Sequence, residues 1–470
     1  MSLTVAAIGL LALGTGLGRS ATTDTSLARA VAAALLCAGL LSSMLGLCQY
    51  FGADARWGSW ISHASRGEAF ANLRQRNQFA SLTNIALVAL SMLIMHTKRS
   101  AFVPDRWPVL FMTALLTIGN AASASRTGLV QLVLLCLLWW KSESLPSSKK
   151  LVAVALATYV VAALGLPWLA GFDLASHGVI MRLATGAQEC ASREVLWRNV
   201  LQLIGQRPWL GWGWGELDYA HFMALYPNLR FCDILDNAHN LPLHLAVELG
   251  VPAALVVCGW LIWVILRAKP RLAGDPVRHL AWCVLVVIFV HSMVEYPLWY
   301  SPFVLVFGFC LGVVWPSGLR REAMPAWGKS TIVWRCLAMA LLGACAYAAW
   351  DYHRISQLYL PPVSRDPAYQ TDTLDKARRT WLFRSQVQFA ELTTTALSQS
   401  NAAQMFSMAS ELLHYSPEPR VIEVLIESAT MLGKDDEALL YAARYRAAFP
   451  REYDQWRQAA GISFKTEVAR

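Results

Sequence analysis

Residues 28–51 read ARAVAAALLCAGLLSSMLGLCQYF, a stretch whose only charge is Arg29. A helix rises about 1.5 Å per residue, so roughly 20 apolar residues cross the ~30 Å hydrocarbon core of a bilayer. This run is long enough. In lipid its backbone amides must be satisfied within the segment, which makes it a helix. Comparable apolar runs recur at Leu3 to Leu17, Phe79 to His96, Trp107 to Ala122, Gly128 to Trp140, Leu151 to Ala170, Val251 to Leu266, Leu280 to Glu295, Phe303 to Trp315 and Thr331 to Trp350. Ten candidates, several of them short, predict an all-α, polytopic helical bundle of about 10 spans, 10–12 if short runs are half-helices. The first has no basic segment before it and a second follows closely, so it reads as a span and not as a removed signal.

Composition agrees. Of 470 residues, 56% are hydrophobic and 15% charged, against roughly 45–50% and about 25% in an ordinary soluble domain. Twenty tryptophans and a mean hydropathy of +0.39 complete the picture. A disordered chain, a small disulfide scaffold and a typical soluble enzyme are excluded. The net charge of +9 divides into +10 on residues 1–350 and −1 on the remainder, which has 14 basic and 15 acidic residues. It is no nucleic-acid footprint.

With the N-terminus outside, every second short loop is basic: Lys98, Arg99 and Arg106; Lys141, Lys149 and Lys150; Arg267, Lys269, Arg271 and Arg278; Arg320, Arg321 and Lys329. That is the pattern of cytoplasmic loops. The opposite side, as far as Trp350, has ten arginines and no lysine: Arg56, Arg66, Arg74, Arg76, Arg126, Arg182, Arg193, Arg198, Arg207 and Arg230. A guanidinium fork matches phosphate oxygens bidentately and stays charged in a low-dielectric site. The bland alternative is that arginine simply outnumbers lysine in this chain, 31 to 9.

Three regions follow. Residues 1–350 form the membrane domain, residues 171–238 its large outer loop, and residues 351–470 a helical tail. In the tail, Ala402, Met405, Phe406, Ala409, Leu412 and Leu413 recur at helical spacing. Further helices fit Val421 to Met431 and Glu437 to Phe449, and such pairs resemble a tetratricopeptide unit. Eight of the ten cysteines fall in or beside apolar runs; Cys190 and Cys232 share the outer loop, and whether they are bridged is left open.

The chemistry-bearing residues gather on the outer side. Asn72-Leu73-Arg74-Gln75-Arg76-Asn77-Gln78-Phe79 opens one span, and Ser123-Ala124-Ser125-Arg126-Thr127-Gly128 is a turn too short to hold its arginine far from the bilayer surface. Polar groups entering a membrane helix are costly unless they line a cavity or stay at the interface. Arg207-Pro208-Trp209-Leu210-Gly211-Trp212-Gly213-Trp214-Gly215 interleaves indoles with glycines, as an interfacial anchor or as a stacking platform for sugar rings. Asp236-Asn237-Ala238-His239-Asn240 precedes an apolar helix containing His244 and Glu248, whose spacing from His239 makes no metal face. His291, Glu295 and Tyr296 form a second polar patch at the outer end of a later span, which suggests a cavity shared with His239.

His239-Asn240, followed after nine residues by Gly250-Val251-Pro252-Ala253, resembles the signature of bacterial O-antigen ligases, apart from Ala253, where the ligase pattern has Gly, Thr or Tyr. The segments Arg74 to Ala80, Ser125 to Gly128, Gly211 to Gly215 and His291 to Trp299 are similar to the protein O-oligosaccharyltransferase branch of the same superfamily, pilin glycosylases included. The similarity runs in order from about Leu45 to Val314.

The resemblance implies a multi-pass protein of the bacterial inner membrane, with the outer loop and tail periplasmic. It would transfer an oligosaccharide from undecaprenyl diphosphate to a hydroxyl of a pilin-like protein. Such a donor already has a good leaving group, so phosphate neutralisation matters more than an acid. No DxD sequence occurs, and the resemblance implies neither metal nor cofactor. His239 is the candidate base. Gln75, Asn77, Asn240, Glu295 and Tyr296 are candidate substrate-binding residues, and Arg76, Arg126, Arg193 and Arg198 candidates for the diphosphate. Two alternatives stand beside this: an O-antigen ligase acting on lipid A core, and a flippase that binds the same lipid-linked glycan without chemistry.

Overall fold

A computed structural model of the chain describes residues 2–22, 24–97, 106–140, 148–172, 178, 189–268, 275–315 and 331–459, and every regular element among them is helical. Lys98, Arg99, Lys141, Arg182, Lys269, Arg271, Arg320, Arg321 and Lys329 lie outside the described residues. The helices of the first half are α1 (Ser2–Ala21), α2 (Thr25–Tyr50), α3 (Arg76–Thr97), α4 (Arg106–Ala122), α5 (Arg126–Trp140), α6 (Ser148–Leu169), α7 (Arg193–Gln206) and α8 (Leu217–Met223). They are followed by α9 (Leu241–Leu249), α10 (Val251–Ala268), α11 (Pro276–Ser292), α12 (Ser301–Val314) and α13 (Thr331–Ser356). The tail has α14 (Thr373–Ala377), α15 (Arg384–Thr394), α16 (Ala402–Leu412), α17 (Pro419–Met431), α18 (Asp435–Ala448) and α19 (Pro450–Ala459). Among the described residues α2, α3 and α6 are long and apolar enough to cross a membrane, and α4, α5, α10, α11 and α12 are shorter apolar helices. This is the architecture of an all-helical membrane protein.

The chain folds as two compact units, residues 1–187, 239–242 and 256–319, and residues 188–238, 243–255 and 320–470.

In the first unit α3 is the central helix, packed against α2, α4, α5 and α11, with Phe79, Ile85, Leu87 and Met92 buried. Two of its helix pairs show how contact is made. Helices α1 and α12 interlock through glycines: a Cβ on Gly18 would stand 1.9 Å from the Phe309 carbonyl oxygen, and one on Gly312 would stand 2.2 Å from that of Thr15. Gly14 and Gly308 make the same close approaches one turn away. Where lipid is as apolar as the side chains, small residues let backbones meet and gain dispersion contacts. Helices α3 and α11 meet through polar groups instead. Ser81 Oγ lies 2.9 Å from His291 Nδ1, and Gln131 of α5 donates to Ser81 Oγ (2.9 Å) and to the Val287 carbonyl (3.0 Å). Asn84 donates to Gln131 Oε1 (3.0 Å). These bonds offset the cost of polar side chains inside an apolar bundle.

The second unit is cored by the tail. Val421, Ile422, Leu425, Ile426 and Ala429 form one buried face of α17, and Leu412, Tyr445, Trp456 and Phe222 of α8 close the cluster. His414 Nδ1 lies 2.6 Å from Glu216 Oε2 and stacks on Tyr219, so residues 188–238 and the tail belong to one unit. A disulfide joins Cys190 to Cys232, with a Cα separation of 5.4 Å. Closing a loop of this length restricts the unfolded chain by about 4 kcal/mol in the chain-entropy account.

Candidate active site

The site assembles in the first unit where three polypeptide segments meet. Gln49, fully buried at the end of α2, fastens the segment that leads into α3. It donates to the carbonyls of Ser62 (2.7 Å) and Ala71 (2.9 Å), and its Oε1 accepts from the Phe70 and Ala71 amides at 3.0 and 2.7 Å. Gln75 then caps α3, its Oε1 accepting from the Gln78 amide at 2.6 Å. Arg76 and Asn77 are thereby the first residues of the helix. Arg76 is half-buried and paired with Glu68.

The turn between α4 and α5 delivers the second segment. Ser125 is the N-cap of α5: its Oγ accepts from the Gly128 amide at 2.9 Å and its carbonyl from the Leu129 amide at 3.1 Å. The same hydroxyl donates to Asn77 Oδ1 at 2.6 Å. Two helix N-termini are therefore tied together, each with an arginine at its first position, Arg76 on α3 and the exposed Arg126 on α5. Helix N-termini carry roughly half a positive charge and unsatisfied amides, so the pair makes a local concentration of positive potential.

His239 and the C-terminal end of α11 supply the third part. His239 Nδ1 lies 2.8 Å from Glu295 Oε2, and Asn77 Nδ2 donates to Glu295 Oε1 at 3.3 Å. The His239 ring meets Tyr296 edge-on at 4.9 Å, and Asn240 donates to the Met293 carbonyl at 3.0 Å. The imidazole retains 20% of its side-chain exposure and the Glu295 carboxylate 10%, so the pair is sheltered but reachable. A continuous chain runs Ser125, Asn77, Glu295, His239.

The backbone is strained at the same three places. Arg74, Ala124 and His239 take positive φ values of 58°, 50° and 49°, in the left-handed region that non-glycine residues seldom adopt. Such residues cluster where a fold over-determines a functional geometry.

Of the residues expected from sequence, the fold brings together Gln75, Arg76, Asn77, Arg126, His239, Asn240, Glu295 and Tyr296. Arg193 and Arg198 lie on α7 in the second unit, where Arg198 pairs with Glu194 at 2.6 Å on the exposed face. His244 and Glu248 pair with each other there, at 3.4 Å and both buried. Sequence reading did not single out Gln49, Glu68 or the linking role of Ser125. Only the N-cap position of Ser125, just ahead of an apolar run, was a usable signal. Among the described residues no three His, Cys, Asp or Glu side chains are placed to hold a metal ion.

Buried titratable groups occupy the second unit as well. Burial, reinforced by neighbouring carboxylates, pushes Asp218 and Glu248 up to about 7. Burial, then the Arg230 guanidinium, lowers His221 to about 3.

Three family models match this chain: Protein glycosylation ligase over residues 69–91, O-Antigen ligase over 109–258, and the C-terminal part of Virulence factor membrane-bound polymerase over 279–461. Between them they contain each segment of the site. The chain is also 25% identical over 296 residues to a General O-oligosaccharyltransferase of Acinetobacter baylyi, covering 60% of this chain and 49% of that protein. It is 25% identical over 265 residues to a ComP-specific O-oligosaccharyltransferase of the same organism, covering 56% of this chain and 46% of the relative. The chain thus spans about half the length of the curated relatives it matches. These findings bear out the resemblance to the O-antigen ligase superfamily and to its oligosaccharyltransferase branch.

Proposed function

We propose that this chain is a glycosyltransferase of the O-oligosaccharyltransferase type, moving a glycan from undecaprenyl diphosphate to a hydroxyl of a pilin-like protein on the periplasmic side of the bacterial inner membrane. The observation that carries the reading is the chain of hydrogen bonds from Ser125 through Asn77 and Glu295 to His239. It joins a junction of two helix N-termini bearing Arg76 and Arg126, suited to a diphosphate, to an oriented imidazole suited to a hydroxyl.

The chemistry follows from that arrangement. With Nδ1 held by the Glu295 carboxylate, Nε2 carries the lone pair. It takes the acceptor hydroxyl's proton as the oxygen attacks the anomeric carbon. The anomeric C–O bond to the diphosphate breaks, undecaprenyl diphosphate departs, and configuration inverts. Glu295 keeps the ring in one tautomer and stabilises the imidazolium, as a carboxylate does behind a catalytic histidine. Arg76 and Arg126, with the two helix ends, meet the charge that develops on the leaving group, so no metal is needed. Arg76 exchanges Glu68 for phosphate oxygens when the donor binds. Gln75, Asn240 and Tyr296 position the substrates. Arg193 and Arg198 are further donor contacts, resting on charge and loop placement alone. The remaining short helices complete a bundle of about ten spans, and the tail serves as a tetratricopeptide-like module.

An O-antigen ligase remains as a second reading because the O-Antigen ligase family model covers the segment that contains His239. One experiment separates these. The purified full chain is given lipid-linked glycan with either a pilin-like protein or a lipid A core acceptor. Glycan on the protein supports the leading reading; glycan on the core alone transfers the assignment to the ligase. His239→Ala should abolish transfer in a protein that remains folded and inserted, and full transfer by that variant refutes the base assignment.

A further inference from the structure

The turn from Arg207 to Gly215 takes no part in the site above, yet its backbone is held with unusual tightness. Trp212 and Gly213 donate their amides to the Val247 and Glu248 carbonyls at 2.9 Å each, and the Pro208 carbonyl accepts from the Val251 amide at 2.8 Å. Gly211 and Gly250, both at positive φ, are pressed on neighbouring backbone: a Cβ on the first would stand 2.3 Å from the Glu248 oxygen, and one on the second 2.2 Å from the Trp209 oxygen. The turn is fixed to the point where the apolar helix α10 begins.

Its three indoles have different fates. Trp212 is absorbed, its Nε1 donating to the Leu203 carbonyl at 3.0 Å while the Arg207 guanidinium covers its ring at 4.2 Å. Trp214 lies edge-on to His244 at 6.4 Å. Trp209 and Leu210 project from the tip, 76% and 86% exposed.

We infer that Trp209 and Leu210 are a bilayer anchor, seated at the boundary between headgroups and acyl chains in the leaflet where α10 starts. The depth follows from the bonding. The first residue of a membrane helix lies at the interface, so a turn hydrogen-bonded to Val251 lies there too. From this junction α10 runs on with many of its apolar side chains exposed, Leu255 at 68%. An indole, with an apolar body and one N–H, partitions into that layer. Leu210 adds apolar area that gains by leaving water. Arg207 beside them suits phosphate headgroups. A sugar platform fits less well. Leu210 offers neither a ring nor a hydrogen bond, and the Trp212 indole N–H and the Glu248 carbonyl beside it are already engaged.

The test places a photoreactive group at single positions of the full chain: Trp209→benzoylphenylalanine, Leu210→benzoylphenylalanine, Leu255→benzoylphenylalanine as the lipid-facing control, and Trp212→benzoylphenylalanine as the packed control. Each protein is reconstituted in nanodiscs of phosphatidylethanolamine and phosphatidylglycerol with neither glycan donor nor acceptor, irradiated and weighed intact. The expected result is a mass increase of one phospholipid at positions 209, 210 and 255 and none at 212. Adducts at 255 but at neither 209 nor 210 overturn the inference. So does loss of the lipid adduct at 209 in favour of a glycan adduct once lipid-linked glycan is added, the outcome for a sugar platform. The readout is independent of transferase activity, so its failure and the failure of the catalytic reading are distinguishable.

Discussion

Helices α1 and α12 touch through glycine and bare backbone, whereas α3 and α11, in the same unit, also meet through serine and histidine, with Asn77 of α3 bonded to Glu295 just past the end of α11. The first contact is built on the close approach of glycines to backbone, a packing solution for helices in lipid. The second contains groups that are expensive in an apolar setting, and it ends at the candidate site. The difference separates fold from chemistry: small residues mark where the bundle must close, polar residues where it must work. Variants of the two pairs should therefore fail in different ways.

The largest effect falls at the end of the polar pair. Glu295→Gln keeps the size of the side chain but removes the charge behind His239, and transfer should drop by about 10²–10⁴ with little change in thermal unfolding. Single-turnover assays beside a melting curve check this; an unchanged rate removes Glu295 from the catalytic group. Ser125→Ala comes next. It severs the link to Asn77 and weakens the cap of α5, and a lost hydrogen bond of ~1–3 kcal/mol predicts a rate lower by roughly 5–150-fold. If the rate held and only the melting temperature moved, the hydroxyl would be a cap and no more.

Gly18→Val should show the converse. Its side chain has no room against the Phe309 carbonyl, so overpacking by ~1–3 kcal/mol or more lowers the melting temperature and the folded yield. The donor KM of the fraction that folds should be unchanged, and a raised KM would connect α1 and α12 to the site after all.

The smallest effect concerns acidity in the second unit. Asp218 and Glu248 are raised from 3.8 and 4.5 to about 7, so the folded state binds more protons than the unfolded one between those values. Their contribution is whole at low pH and is lost as pH rises through about 7. His221, lowered from 6.5 to about 3, acts in the opposite sense below 6.5. Stability of this unit should fall most steeply between about 6.5 and 7, by ~1.4 kcal/mol per pH unit for each proton. Hydrogen exchange at Leu217–Met223 across that range, in the parent and in Asp218→Asn, measures it. The variant should show about half the slope or less, and an equal slope would assign the dependence elsewhere.

Much of this was legible along the chain. The apolar runs announced the helices because a span must satisfy its own backbone, a requirement met within some twenty residues. The tail helices at Ala402–Leu412, Pro419–Met431 and Asp435–Ala448 were visible for a related reason: their apolar positions repeat at the helical period. His239, Arg76 and Glu295 stood out because polar side chains at the mouth of a span need a purpose.

What sequence alone determined is thus local, the existence of helices, their apolar faces and the residue types that do not belong in lipid. Which of those residues meet was decided by tertiary structure. Asn77 and Glu295 are 218 positions apart, Asn77 and Ser125 48, and His239 and Glu295 56. Pairing across such distances depends on how α3, α5 and α11 pack. That packing is set by dispersion and buried hydrogen bonds between side chains whose partners no spacing rule identifies. The same holds for Cys190 and Cys232, whose bridge was left open along the chain until the loop brought their Cα atoms to 5.4 Å.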